Sequence, residues 1–452
     1  MQTATLIKNS PLLYQRHIDK IIRRFRYKKK WALNLKEKTP SELALAHFDA
    51  FYRPVFGPLW PSIRISLLSL PKYCALVNNS ATPSDSCKQL EKLGAFNILR
   101  SASQLPPRTS HGNKYEYLDA YIHPDPSAPR RFSDDHHEGY SSQPDVDEPF
   151  DLNPNTNLHE FMPVEKVYSS QELQTQEIVK QSVFEPRDIG VKVTSRKEIT
   201  VPEQLMVYAF PKGNVSDFPA PKPNDCRLLG YYLLDAASIL PVIALNLRPG
   251  DVVLDLCAAP GGKTLAILQT MLTDNITSND LSGSRLKRLR EILRWYCPER
   301  NVTLSQDDGF RFRKPDYNKV LVDVPCNTDR HVLNEEDNNL FKPSRTNERL
   351  EMTKKQKDLL VSGILSCRPG GSVVYSTCTL SPAQNDGIIQ AACEEIWENT
   401  QIDIEVEDLA YFRQTFGRTF SFYDQCRYGQ LVLPKLSSNF GPAYFCKINR
   451  LN

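Results

Sequence analysis

Cys326, in VLVDVPCNTD, and Cys378, in SVVYSTCTLS, each follow a β-branched run that reads as a strand, so both thiols are expected at strand ends. Upstream, LDLCAAPGGKT passes from another strand through small residues into a helix. Two thiols near such a loop suggest covalent attack on a pyrimidine ring beside a nucleotide-like cofactor. Carbon 5 of cytosine is a poor nucleophile. A thiolate adding at carbon 6 makes carbon 5 enamine-like, able to accept a methyl group from a sulfonium, after which the adduct loses the carbon-5 proton and expels the thiol. On chemistry alone either Cys326 or Cys378 can be the attacking group, and a buried, inert thiol is the alternative for each.

These residues need a scaffold that ends several strands side by side. Strands are expected near 252–256, 275–279, 301–305, 319–324, 372–377, 428–433 and 444–448, and helices near 262–272, 282–295, 353–367 and 384–397. The alternation predicts a predominantly parallel sheet covered by helices on both faces, with sites at the carboxyl ends of its strands.

Within that scheme Gly261 and Gly262 open a helix whose first N–H groups face a ligand. The loop is neither GxGxxG nor GxxxxGK[ST]. Asp280 ends the next strand and suits a ribose, or a helix cap. Asp308 and Gly309 follow the third strand, where a carboxylate can take an adenine amino proton; Asp307 is the alternative. Lys263 and Arg285 suit a cofactor carboxylate or plain solvent exposure. Asp323, three residues before Cys326, is placed to bond the amine or N3 region of cytosine, while Pro325 shapes the turn.

The chain has 452 residues and a formal charge of only +3, so charge distribution is more informative than the total. Residues 1–30 hold nine basic residues and a single acid, Asp19, a pattern of an organellar targeting segment or a basic arm. No apolar run is long enough to cross a bilayer. Eleven cysteines without a CxxC pair fit thiol chemistry in a reducing compartment better than a disulfide framework. Residues 43–79 read as two helices around a Pro/Gly turn. The stretch from Asp119 to Asp151 has nine acids, two arginines and five prolines, which predicts a flexible insertion; His123, His136 and His137 within it lack a zinc spacing, and no metal is expected.

LDLCAAPGGKT, DVPC at 323–326 and STC at 376–378 together resemble the NOP/SUN family of RNA cytosine-5 methyltransferases. The resemblance implies a Rossmann-like class I methyltransferase with a mostly parallel seven-stranded sheet, a smaller N-terminal helical region and S-adenosyl-L-methionine as cofactor. It implies that Cys378 attacks and Cys326 assists release, and places Gly261, Gly262, Lys263, Asp280, Arg285, Asp308, Gly309 and Asp323 around cofactor or base. LWPSIRISLLS, YYLLDAAS and RHVLNEEDNNLFKPSRTNERLEM are similar to the mitochondrial small-subunit rRNA branch. That branch implies the mitochondrial matrix, small-subunit rRNA in an assembling ribosomal subunit, and a heterodimer with a mitochondrial transcription-termination-factor-like protein. Organellar tRNA methylation and a non-catalytic assembly factor are the competing readings.

The divisions that follow are 1–30 for targeting, 31–103 for the N-terminal helical region and 104–169 for the acidic, Pro/Ser-rich insertion. Residues 170–250 form a linker with RNA-binding or partner-facing elements, and 251–452 the methyltransferase domain. An RNA track is expected at Arg311, Arg313, Lys314 and Lys319 and at Lys342, Arg345, Arg349, Lys354, Lys355 and Lys357. Arg413, Phe416, Arg418, Phe420 and Phe422 suit either a pocket exit or a twisted, partly buried element.

Overall fold

The computed structural model describes residues 38–104, 189–195 and 200–452, apart from positions 274, 299 and 301. The targeting segment expected over 1–30 and nearly all of the insertion expected over 104–169, with its three histidines, lie outside the described residues. Among the described residues no helix is long and apolar enough to cross a membrane.

In chain order the described strands begin with β1 (Cys74–Val77), β2 (Phe96–Asn97), β3 (Val193–Ser195), β4 (Val207–Ala209) and β5 (Tyr231–Leu234). Next come β6 (Val252–Asp255), β7 (Asn275–Asn279), β8 (Val302–Ser305), β9 (Tyr317–Asp323) and β10 (Cys367–Thr377). The series closes with β11 (Ile404–Asp408), β12 (Ser421–Tyr423), β13 (Gln430–Leu433) and β14 (Ala443–Arg450). The larger sheet runs β12-β13-β14-β10-β9-β6-β7-β8, with β11 paired to β14 and β3 to β11. From β10 through β8 every pair is parallel, while β14 enters antiparallel to β10. Side chains alternate between faces as the pleat requires: Val374 enters one core, while Val373 and Tyr375 enter the other.

Among the described residues the sheet has ten strands rather than seven. The unforeseen strand β11 carries Glu405 and Glu407, which made it read as polar. Glu407 is nevertheless buried, because Lys447 lies opposite it on β14 and the two pair at 3.1 Å. Opposite charge in register thus converts a polar segment into an interior strand.

The N-terminal region is not purely helical. Helix α1 (Pro40–Phe56) starts with a capping box between Thr39 and Glu42 and has Pro40 in its first turn. It leads into α2 (Trp60–Leu68). Phe48, Tyr52, Phe56, Trp60, Ile63 and Leu67 of these helices share a core with Leu254, Val320 and Tyr375 of the larger sheet. β1 and β2 instead join β4 and β5 in a second, antiparallel sheet of order β2-β4-β1-β5. Residues 74–97 and 207–234, expected in separate units, therefore build one. Residues 231–234 form β5, and Asp235 accepts the Ala237 N–H at 2.8 Å to start a short turn after it.

Helices α3 (Gly262–Gln269) and α4 (Gly283–Tyr296) cover one face of the larger sheet. On the other face α5 (Asp329–Asn334), α6 (Met352–Ser366) and α7 (Asp386–Asn399) join α1 and α2.

Buried Asp329 ties α1 to the segment after β10: it accepts from Tyr52 Oη, Thr379 Oγ1 and the Leu380 N–H, each at 2.8 Å. Asp329→Ala orphans these donors and should lower unfolding free energy by about 3 kcal/mol, whereas Tyr52→Phe, which keeps the ring packing, should cost about 1 kcal/mol. Urea denaturation measures both, and an Ala variant as stable as wild type would refute the anchoring role.

Candidate functional site

The parallel register of β9 and β10 sets Asp323 opposite Ser376, so both strands end level and the chain turns immediately into Cys326 and Cys378. Their sulfurs lie 3.2 Å apart, unbonded, and the Cys378 N–H also points to Cys326 Sγ at 3.4 Å. Cys326 is buried and Cys378 is exposed. Although the residue as a whole is exposed, surrounding protein crowds its sulfur: the hydrogen bond to Cys326, then desolvation and the charges of Cys326 and Asp323, push the Cys378 thiol well above the ordinary cysteine range, and Lys263 pulls it the other way.

Two glutamines hold the Cys326 turn. Gln356 Nε2 donates to the Pro325 carbonyl at 2.8 Å and to Gln384 Oε1 at 3.0 Å, and Gln384 Oε1 accepts the Asn327 N–H at 3.2 Å. On the other side, Thr377 Oγ1 donates to Asn385 Oδ1 at 2.7 Å and Asn385 Nδ2 to the Thr379 carbonyl at 3.0 Å. Sequence reasoning missed Asp329, Gln356, Gln384 and Asn385. Their type alone carries no signal, because they act on backbone brought near by the fold.

Beside the thiols, Asp323 accepts from Lys263 Nζ at 2.7 Å and from Ser376 Oγ at 2.6 Å. Lys263, for which the sequence left a cofactor carboxylate or solvent exposure open, is paired with Asp323 in the structure. Burial opposes its positive charge, but Asp323, with Cys378 and Asp255, outweighs it and holds the lysine pKa above its ordinary value. Asp255, at the end of β6, is fully buried and takes a 2.6 Å hydrogen bond from Thr264 through one oxygen.

A cleft of about 280 Å³ opens beside this group, lined by Asp280, Arg285, Asp308 and Gly309 among the expected residues and by Leu256, Phe310 and Leu359 as an apolar wall. Asp280 accepts the Ala259 and Ser282 N–H groups and pairs with Arg285 at 3.3 Å. Asp308, rather than Asp307, faces the cleft; one of its oxygens caps the Phe310 N–H at 3.1 Å. Gly261 and Gly309 have another reason for being glycine than ligand approach. A Cβ on Gly261, at φ +117°, would meet Leu289 at 2.5 Å, and one on Gly309 would meet Leu359 at 2.6 Å. A Cβ on Gly262 would make only ordinary contact with Tyr232.

Much of the basic track at 342–357 is engaged within the protein. Arg345 makes a two-pronged pair with Glu348, and Arg349 is buried against the Phe341 ring. Lys355 pairs with Glu351, and Lys357 with Glu395. Phe416 and Phe420 lie in the core rather than along a pocket exit.

Residues 242–428 match the family model described as 16S rRNA methyltransferase RsmB/F. The 5-cytosine rRNA methyltransferase NSUN4 of Mus musculus is 40% identical over 437 residues, which cover 95% of this chain and 94% of the relative. The chain belongs to the NOP/SUN family of RNA cytosine-5 methyltransferases. The nematode relative, 5-cytosine rRNA methyltransferase nsun-4 of Caenorhabditis elegans, is 35% identical over 94% of this chain and 95% of its own length. The mitochondrial tRNA (cytosine(34)-C(5))-methyltransferase of Danio rerio is 39% identical but covers 49% of this chain and 61% of itself. The fold matches a methyltransferase homolog from Pyrococcus horikoshii with a TM-score of 0.50 and 18% identity, covering 89% of this chain and 94% of that one.

S-adenosyl-L-methionine, the cofactor of this family, fits the cleft by its chemistry. The apolar wall suits a purine, and Asp280 and Asp308, which follow adjacent strands β7 and β8, offer carboxylates of the kind that accept from ribose hydroxyls or an exocyclic amine.

Burial pushes the Asp255 carboxyl from an ordinary 3.8 up to about 7, opposed by the Thr264 hydrogen bond and reinforced by Asp323. Between about pH 4 and pH 7 the folded chain thus holds a proton that the unfolded chain has lost, so this group's contribution to stability falls as pH rises through that window. Asp255→Asn removes the dependence. The melting midpoint of the variant should gain on wild type from pH 4 to pH 7, and a pH-independent difference would contradict the raised pKa.

Proposed function

We propose that this protein methylates carbon 5 of a cytosine in mitochondrial small-subunit rRNA through a covalent adduct on Cys378. The observation that carries the mechanism is the pair of sulfurs 3.2 Å apart, one exposed and one buried, at the ends of adjacent parallel strands. The rRNA relatives match nearly the whole chain, including α1 and α2, while the tRNA relative aligns with half of it. That difference favours rRNA over tRNA.

In this reading a target cytosine leaves its stack and enters beside Cys378. Asp323, held by Lys263 and Ser376, accepts the cytosine amino group and orients the ring. The Cys378 thiol releases its proton to solvent, its sulfur bonds to carbon 6, and the electron pair of the 5,6 double bond moves to carbon 5 and into the ring carbonyl. The positive charge of Lys263 favours the thiolate this step requires. S-adenosyl-L-methionine, when bound, supplies the electrophilic methyl group. Cys326 then takes the carbon-5 proton, the carbon–sulfur bond breaks with its electrons returning to Cys378, and the 5,6 double bond reforms. Gly261, Gly262, Arg285, Asp308, Gly309 and Asp280 shape the cofactor cleft.

The basic, acid-poor first thirty residues and the mitochondrial tRNA relatives support the mitochondrial matrix as the compartment. A mitochondrial transcription-termination-factor-like partner and a role in small-subunit assembly rest on the resemblance to that branch.

Incubation of purified variants with cofactor and small-subunit rRNA, followed by denaturing electrophoresis, tests the thiol assignment. Cys378→Ser should methylate at background level and form no adduct; Cys326→Ser should attack but retain RNA covalently. Wild-type methylation by both variants, with no retained RNA, would overturn it. Nucleotide-resolution mapping of 5-methylcytosine with and without the protein should show loss at an rRNA position, and loss confined to tRNA would overturn the substrate assignment.

A further inference from the structure

We infer that the outer face of α4 is an RNA-backbone binding surface running from the cofactor cleft along the side of the molecule, an inference that rests on the RNA methyltransferase reading. Leu286, Leu289, Leu293 and Tyr296 form the buried stripe of this helix. Lys287, Arg288, Arg290 and Arg294 are exposed on its remaining surface, with Glu291 the one acid among them. None of these four cations makes a hydrogen bond or ion pair with the described residues. The cations near 345–357 are different, since most of them are matched by carboxylates of their own chain. Unmatched exposed positive charge along one helix is what a phosphate backbone recognises.

Two further features give the surface its direction and its ligand. Arg285, in the first turn of α4, lines the cleft beside Asp280, so the cations lead away from the proposed reaction centre. A helix of 14 residues covers about 21 Å, enough to follow several consecutive phosphates. At its far end Trp295 is 47% exposed, next to Arg294, and its carbonyl accepts the Leu229 N–H at 3.1 Å. An exposed indole beside a guanidinium is a platform on which an unpaired base stacks. Stacking at Trp295 and phosphate contacts along α4 together fit a structured RNA with a single-stranded segment.

The test uses the full chain, an in vitro transcript of small-subunit rRNA and a short hairpin cut from its methylated region. The combined variant Lys287→Gln, Arg288→Gln, Arg290→Gln and Arg294→Gln should bind the long transcript at least about 10-fold more weakly at 150 mM salt. Its log affinity against log salt should flatten by about 2 to 3, from roughly 0.7 per lost contact with a single strand. KM for the long transcript should rise while kcat, cofactor affinity and the melting midpoint stay at wild-type values. Trp295→Ala should weaken binding without changing the salt slope, and RNA should quench the wild-type indole fluorescence. A wild-type protein that methylates the transcript, beside a folded variant with unchanged affinity and salt slope, overturns the surface and leaves the methyltransferase reading standing. A wild-type protein with no affinity for either RNA overturns both.

Discussion

The pairing of β9 with β10 sets Asp323 across from Ser376 and makes two strands end at the same height. Parallel strands with a common register deliver their next residues to one place, and here those residues lead to two thiols and a carboxylate. The crossover between the strands supplies α5 and α6, which lie on the face where Gln356 reaches back to the Pro325 carbonyl. One slip in register would put Asp323 on the opposite face of the sheet and separate it from Ser376. The chemistry proposed for Cys378 therefore depends on backbone hydrogen bonding before it depends on any side chain.

Charge is the second constraint. Asp255, Asp323 and Asp280 end neighbouring strands, so several carboxylates crowd a region shared with two thiols. Lys263 is the cation bound directly to Asp323, and Arg285 lies across Asp280. Forming a thiolate at Cys378 adds negative charge beside Asp323, which explains why both that carboxylate and the Cys326 contact raise the thiol's pKa. Lys263 opposes this from the start of α3. The glycine loop consequently serves the thiol centre through its lysine as well as the cofactor cleft beside it.

That Asp323, Cys326 and Cys378 come together was legible because each lies at or just beyond the end of a hydrophobic strand, where periodicity and turn residues are strongest. Asp308 was separable from Asp307 by the glycine that follows it, and the cleft lies on that side. What stayed hidden has physical reasons. β11 reads as acidic because the lysine that neutralises Glu407 is 40 positions away. The second sheet joins β1 and β2 to β4 and β5 across a long intervening segment, and no local pattern encodes that pairing. The basic run at 342–357 suggested an RNA track because composition counts cations without showing which carboxylates they meet.

The segment carrying Cys378 is fixed on both sides by side chains from elsewhere in the chain. Asn385 holds Thr377 and Thr379, while Asp329 holds Thr379 and Leu380 and is itself bonded to Tyr52 of α1. The peptide around the sulfur is thus over-determined, yet Cys378 as a residue remains exposed. A nucleophile held in this way gains from preorganisation, since little of its freedom remains to be lost in the transition state. It also has little capacity to move toward a base still stacked in a helix. In the mechanism proposed for Cys378 the motion would fall on the RNA, so unstacking the cytosine would become part of substrate selection, and α1, remote in sequence from either thiol, would help to impose that requirement.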